Sequence, residues 1–375
     1  MKQLLAYCLS IILCVSFTGC MENYLDLYPE DKITSASFPE NESDIKLLLN
    51  GVYAQLREKE VYNQGLFGFG ITDGATPNAF NWGTDEVFNK LGAGRLSSSD
   101  GGVVTYRWKR CYEIISRANY LLACMDLVDL SEEAKAKYSG ETHFLRGLAY
   151  SVLAETYGGV PIILTNISTE EARSLKRASL EETWQQALDD YEVAITNLGV
   201  DAPEPGRATK GAALGMKMRA YLYQGKYKEV LACVEQIDAL KKYGLFHSYE
   251  GLFDPANENN KEVLFDIQYI EGENSQGSYI DQYCGTGTGS WTRGSRYVPT
   301  DDLVAAYETI DGSPVDPENP YENRDPRLGF TAVLPGSYFL GYRFPNYLYP
   351  GGAFNHAGNR LKHLSTRKYR IQDES

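Results

Sequence analysis

Two stretches of the sequence combine flat aromatic side chains with short amides, carboxylates and a guanidinium, outside any helical pattern. Asp73 to Trp82 carries Asp73, Asn78, Asn81 and Trp82, and Tyr279 to Tyr297 carries Tyr283, Trp291, Arg293 and Tyr297. The mixture suits a sugar. Sugar rings have apolar faces of C–H groups, which an exposed Trp or Tyr covers, and edges of hydroxyls, which Asp, Asn and Arg meet through hydrogen bonds. Irregular stretches are where binding residues concentrate. The competing role for Trp82 and Trp291 is to plug their loops onto a core, as Trp108 and Trp184 on helical stripes are expected to do.

Patterns that would carry catalysis are weak or incomplete. Gly285-Thr286-Gly287-Thr288-Gly289-Ser290 is glycine-rich but has neither the Gly-Lys-Ser/Thr of a P-loop nor Rossmann spacing, so it reads as a loop. Ser43-Asp44-Ile45-Lys46 matches S-x-x-K without the companion elements of that chemistry and reads as a helix start. No G-x-S-x-G or H-E-x-x-H occurs. His143, His247, His356 and His363 are scattered without metal-ligand spacing, and no cofactor or metal is expected. Glycosidase carboxylates need only be near one another in space, so a surface glycoside hydrolase of helical build stays open as a rival. Arg324-Asp325-Pro326-Arg327 is expected to be a structural turn with internal ion pairs.

The formal net charge is -14 and the pI about 4.9. Nucleic acid, whose binding depends on basic residues neutralising phosphates, is excluded as a partner class. The 28 tyrosines suit a surface that takes polar ligands, although most are expected in the core. At the amino terminus Lys2 precedes an apolar run from Leu4 to Phe17. At about 14 residues that run is short for a membrane span and reads as a secretory signal over residues 1–19. Phe17-Thr18-Gly19-Cys20 then resembles a lipobox, with Cys20 as the lipidation site. Two or more acyl chains at about 0.8 kcal/mol per buried CH₂ anchor a protein stably without crossing the bilayer. Cys111, Cys124, Cys233 and Cys284 are widely spaced with no CxxC; the first three fall on expected helices and read as buried thiols.

The elements that would position these residues are mainly helices. Apolar residues recur at helical spacing from Ile45 to Leu56, from Trp108 to Met125, and from Leu145 to Leu153, the last with enough flanking bulk for burial on two sides. Gly158-Gly159 and Pro161 end that third helix. Ser179-Leu180-Glu181-Glu182 is a capping box opening a helix with Trp184, Leu188, Tyr191 and Ile195 on one face. Thr209 to Gln224 and Tyr227 to Lys241, broken at Gly225-Lys226, resemble one tetratricopeptide hairpin, and such pairs bury a continuous core by stacking. From about residue 245 Gly, Pro, Asn and Tyr rise. Glu262 to Tyr269 alternates like a short strand, and Pro299 to Thr309 reads as a short helix. The expected fold is mostly α, a tetratricopeptide-like helical-hairpin superhelix over 20–244 with a loop-rich portion over 245–375.

Several blocks occur in a recognisable order: Cys20 followed by Tyr24-Leu25-Asp26; Asn50-Gly51-Val52-Tyr53; Trp108 to Asn119, ending in Arg-Ala-Asn; Arg146-Gly147-Leu148-Ala149-Tyr150 through Tyr157-Gly158-Gly159-Val160-Pro161; Gly206-Arg207-Ala208-Thr209-Lys210; Pro299 to Tyr307; and Tyr321 to Leu328. Together they resemble the SusD/RagB family over nearly the whole chain. The resemblance implies a nutrient-binding lipoprotein of the outer membrane that lies like a hinged lid on a SusC-like TonB-dependent transporter. It would capture oligosaccharide or peptide, using aromatic platforms and polar side chains, and do no chemistry on it. Family members run well beyond this length, and the chain stops soon after Arg367-Lys368-Tyr369, so a shortened, incomplete carboxyl-terminal portion is expected. Starch, fructan, xylan, host glycan and peptide remain open as ligands. Beside the hydrolase, a tetratricopeptide scaffold for protein partners is the second rival. Reducing-sugar release would favour the hydrolase, and loss of glycan binding on changing Trp82 or Trp291 without unfolding would count against the scaffold.

Overall fold

A computed structural model describes residues 38–57, 74–81, 90–97, 99–101, 103–269, 297–339, 342–343 and 365–366. Its frame is a stack of helices. Helix α1 (Glu42–Tyr53) starts at Asn41, whose side chain accepts from the backbone N–H groups of Ser43 and Asp44. It buries Ile45, Leu49 and Val52 and runs into a 3-10 turn, Ala54–Arg57, that buries Leu56. Then follow α2 (Val103–Cys124), α3 (Glu132–Tyr157), a short α4 (Thr169–Ser174), α5 (Leu180–Asn197), α6 (Lys210–Tyr223) and α7 (Tyr227–Ala239). The capping box at Ser179 forms in both directions with Glu182, and Ser168 and Glu171 build a second one at α4.

Helix α3 is the centre of the stack, packing against α1, α2, α5 and α6. Nearly every residue from Phe144 to Ala154 is buried, as the doubly apolar pattern requires. Gly158 ends it at φ +74°, and the next residue approaches the α4–α5 connection so closely that a Cβ on Gly159 would lie 2.1 Å from the carbonyl oxygen of Ala178. Further along, α5 packs on α6 and α6 on α7, giving tetratricopeptide-like pairs. Trp184 is buried, and Trp108 packs at the core margin against the rings of Tyr112 and Tyr157. Cys111, Cys124 and Cys233 are buried free thiols. Burial pushes the Cys111 thiol up to about 12.

Two expectations need correction. Glu262 to Tyr269 forms no strand. Its alternation is real, because Phe265 and Ile267 pack on the helical core, with Phe265 edge-on to Phe144 at 4.9 Å; among the described residues no strand pairs with it. The apolar stripe of α7 is not core either. Only Cys233 is fully buried there, while Tyr227 and Leu231 are 68% and 64% exposed, because α7 is the last helix of the described stack.

Beyond 245 the described chain is short pieces. Thr300 caps α8 (Asp301–Ala306), and α9 (Arg327–Thr331) leads into β3 (Ala332–Val333). Strands β1 (Ala79–Asn81) and β2 (Tyr297–Pro299) pair antiparallel, as do β3 with β6 (Ser365–Thr366) and β4 (Tyr338–Phe339) with β5 (Tyr342–Arg343). A small apolar cluster of Leu328 and Ala332 with Val304, Tyr307, Tyr321 and Leu334 holds α8 and α9 together. The Arg324 turn is structural: the buried guanidinium donates to the carbonyls of Val304, Tyr307 and Pro320, and Arg327 pairs with Asp325.

Candidate ligand-binding surface

The two aromatic-and-amide segments are remote in sequence, and β1 and β2 bring their described ends together. Ala79 faces Pro299, Phe80 faces Val298, and Asn81 faces Tyr297. The junction is pinned from the second segment. The backbone N–H of Thr300 donates to the carbonyl of Asn78 at 3.1 Å, its hydroxyl donates to the carbonyl of Pro77, and its Oγ1 accepts from the N–H of Leu303 to cap α8. Val298 is buried at this junction while Phe80 remains 42% exposed. Asn78 is exposed on the turn before β1, where its N–H donates to the Thr76 hydroxyl.

Of the residues selected for ligand contact, Asn78, Asn81 and Tyr297 therefore share one ribbon. Asp73, Trp82, Tyr283, Trp291 and Arg293 lie outside the described residues, as does Cys20. Trp82 directly follows Asn81 in sequence, and Arg293 precedes Tyr297 by four positions.

The sequence blocks on helices α1 to α3 build the helical core. Arg146 and Asp190 form a buried ion pair, with Nη2 to Oδ1 at 2.7 Å and Nε between both oxygens. The Nη1 of Arg146 donates to Asn119 Oδ1 at 2.8 Å, and Asn119 donates onward to the carbonyls of Ile163 and Thr165. The Tyr150 hydroxyl both donates to the Ile163 carbonyl and accepts its N–H. The Arg-Ala-Asn and Arg-Gly-Leu-Ala-Tyr blocks thus interlock to hold one strap on the core. His143 lies 2.7 Å from Asp190 in the same network. Gly147 is required here: a Cβ would sit 2.9 Å from the Tyr191 ring.

A second polar feature was not selected from the sequence. The turn from Asp201 to Arg207 faces residues 263–268 across a cleft with lobes of about 300 and about 250 Å³. Arg207 lies over the Tyr53 ring at 5.0 Å, donates to Asn50 Oδ1 at 2.6 Å and to Glu204, and lies 3.5 Å from Glu141. Burial pushes the Glu141 carboxyl up, against the hydrogen bond it receives from the Tyr53 hydroxyl at 2.7 Å. Burial, then the neighbouring Glu141 charge, hold the Tyr53 hydroxyl well above its ordinary value. The signal was present in the Asn-Gly-Val-Tyr and Gly-Arg-Ala-Thr-Lys blocks, but their meeting needs the fold. Among the described residues no group of three His, Cys, Asp or Glu is arranged to hold a metal, and no helix is long and apolar enough to cross a membrane.

Comparison with known proteins agrees with this architecture. A SusD-like family model described as starch-binding and associating with the outer membrane matches residues 23–222, and the SusD family model matches residues 261–373. The SusD-like protein P25 of Formosa agariphila is 26% identical over 321 residues, 80% of this chain and 58% of that protein. A SusD-like protein of Bacteroides ovatus is 24% identical over 276 residues, 68% of this chain and 48% of that protein. The chain spans about half the length of the curated relatives it matches. A SusD-like carbohydrate-binding protein of Bacteroides fragilis superposes with a TM-score of 0.76 at 26% identity, covering 89% of this chain and 68% of that one. A laminarin-binding SusD-like protein has the same fold, with a TM-score of 0.67 at 19% identity over 87% of this chain and 77% of that one.

Proposed function

Because the chain belongs to the SusD/RagB family, we propose that it is a glycan-binding protein of the outer membrane that captures oligosaccharide and passes it to a SusC-like TonB-dependent transporter. The observation that carries the reading is the β1–β2 pairing, which joins the two loop segments whose side chains suit sugar faces and hydroxyls. The carbohydrate-binding relative of the same fold supports it. Asp73, Asn78, Asn81, Trp82, Tyr283, Trp291, Arg293 and Tyr297 are the proposed contacts, with the ring faces taken by the aromatics and the hydroxyls by the amides, Asp73 and Arg293. The protein binds and releases; the ligand leaves chemically unchanged. Residues 1–19 act as the export signal, and Cys20 carries the lipid that keeps the protein at the cell surface.

The test is isothermal titration of the mature chain with oligosaccharides, alongside Trp82→Ala and Trp291→Ala. Stacking of a flat ligand face on an aromatic side chain is worth about 1–3 kcal/mol per ring, by analogy with nucleobases, so each change is expected to weaken binding by about fivefold or more with the melting curve unchanged. Equal affinity in both variants would remove the proposed surface.

A further inference from the structure

The residue that follows β2 bonds in two directions at once. Thr300 is the N-cap of α8, and its Oγ1 accepts from the Leu303 N–H at 3.1 Å. The same hydroxyl donates to the Pro77 carbonyl, and the Thr300 backbone N–H donates to the Asn78 carbonyl at 3.1 Å. A hydroxyl can accept and donate together, so one side chain both caps a helix and grips the turn before β1.

Helix α8 is itself clamped at its far end. The buried Arg324 guanidinium donates to the Tyr307 carbonyl at 3.2 Å, to the Pro320 carbonyl at 2.7 Å and to the carbonyl of Val304. Val304 and Tyr307 also pack in the apolar cluster with Leu328 and Ala332. The Arg-Asp-Pro-Arg turn therefore fixes α8, and α8 presents Thr300. The ribbon needs such a mount. Among the described residues β1 and β2 make a two-stranded sheet with three register pairs. A lone two-stranded ribbon is marginally stable in water.

We propose that Thr300 is a positioning residue for the ligand-binding surface: through its hydroxyl it holds the arm that carries Asn78 and Asn81 against β2. The inference rests on the glycan reading. A binding constellation has to be held within about 0.5 Å of its productive geometry, so the placement of a contact residue counts as much as its type. Thr300 touches no sugar in this account. It acts through the turn at Pro77 and Asn78, and the Arg324 knot gives it a fixed base from which to act.

Three variants separate the two roles of the hydroxyl. Thr300→Ser keeps both bonds. Thr300→Asp keeps the cap, because Asp is at least as good an N-cap as Thr, but at neutral pH it has no proton to give Pro77. Thr300→Val keeps the shape and loses both bonds. Each is run by affinity electrophoresis through gels of soluble starch, laminarin, xylan and inulin, and amide hydrogen exchange is read in the ribbon and in α3. With a polysaccharide that retards the parent chain, the Ser variant is expected to match it. The Val and Asp variants are expected to bind about fivefold more weakly, the worth of one net hydrogen bond. Their ribbon amides should exchange about fivefold faster while those of α3 stay unchanged. An Asp variant that binds as tightly as the parent would leave Thr300 a helix cap only and overturn the proposal. So would equal binding by the Val variant, weak binding by the Ser variant, or faster exchange throughout α3. Unchanged variants of a parent chain that binds remove this role alone; a parent chain retarded by none of the four removes the glycan reading and this role with it.

Discussion

Asp190→Ala removes one member of the buried network that ties α3 to α5 and, through Asn119, to the strap at 163–165. Asp190 and Arg146 are 1% and 5% exposed, and the carboxylate accepts from the guanidinium at 2.7, 3.1 and 3.2 Å. Without it the guanidinium keeps only its Asn119 bond and the edge of His143. Removing one partner of a buried pair costs about 3–5 kcal/mol, mostly the penalty of leaving the other charge uncompensated. That is a large part of the 5–15 kcal/mol typical of a folded protein. With a urea slope of about 3 kcal/mol per molar, the midpoint falls by about 1 M or more. Urea denaturation followed by far-ultraviolet circular dichroism reads the change. Arg146→Met with Asp190→Leu leaves no stranded charge and is expected to cost less than Asp190→Ala alone. A loss below about 1 kcal/mol for the single change, or a double variant that costs more than the single one, would refute the reasoning.

Other outcomes follow from the same geometry. Gly147→Ala pushes a methyl against the Tyr191 ring and the Ala187 carbonyl, and calorimetry should show a loss of about 1–3 kcal/mol. Gly159→Ala meets backbone at 2.1 Å and is expected to exceed it. Cys111, with its thiol near 12, carries about 10⁻⁴ thiolate at pH 8, so native protein should resist iodoacetamide at this residue and react only after unfolding. The Glu171 and Glu182 carboxyls are held below the usual carboxylate range, first by the backbone N–H groups of Ser168 and Ser179 and then by their hydroxyls. A depressed folded value means that this stabilisation is present above the ordinary carboxylate pKa and is lost as pH falls through the folded one. Glu171→Gln with Glu182→Gln should therefore flatten the acid side of the stability curve, as urea midpoints measured across acid pH would show.

What could be read from the sequence followed physical strength of signal. Helices α2, α3 and α5 bury wide apolar faces, and Gly158 ends α3 while Ser179 with Glu182 opens α5, so period and punctuation located them. The α7 stripe misled because periodicity marks a face, not whether anything covers it. Glu262 to Tyr269 alternates like a strand because Phe265 and Ile267 pack on the core, but pairing depends on a neighbour, which a local pattern does not contain. The ribbon of β1 and β2 joins residues more than two hundred positions apart through three register pairs, too short to announce itself. The Arg207 cleft was hidden for the same reason: Asn50, Tyr53, Glu141 and Arg207 come from separate helices and a turn.

Affinity electrophoresis of the mature chain (residues 21–375, Cys20 removed) through gels containing a panel of polysaccharides tests the glycan reading most directly. Retardation by one polysaccharide, with no shortening of its chains, is the predicted result and names the ligand class. A cooperative thermal melt with no retardation by any polysaccharide, or release of reducing sugar from the one that retards it, would contradict it.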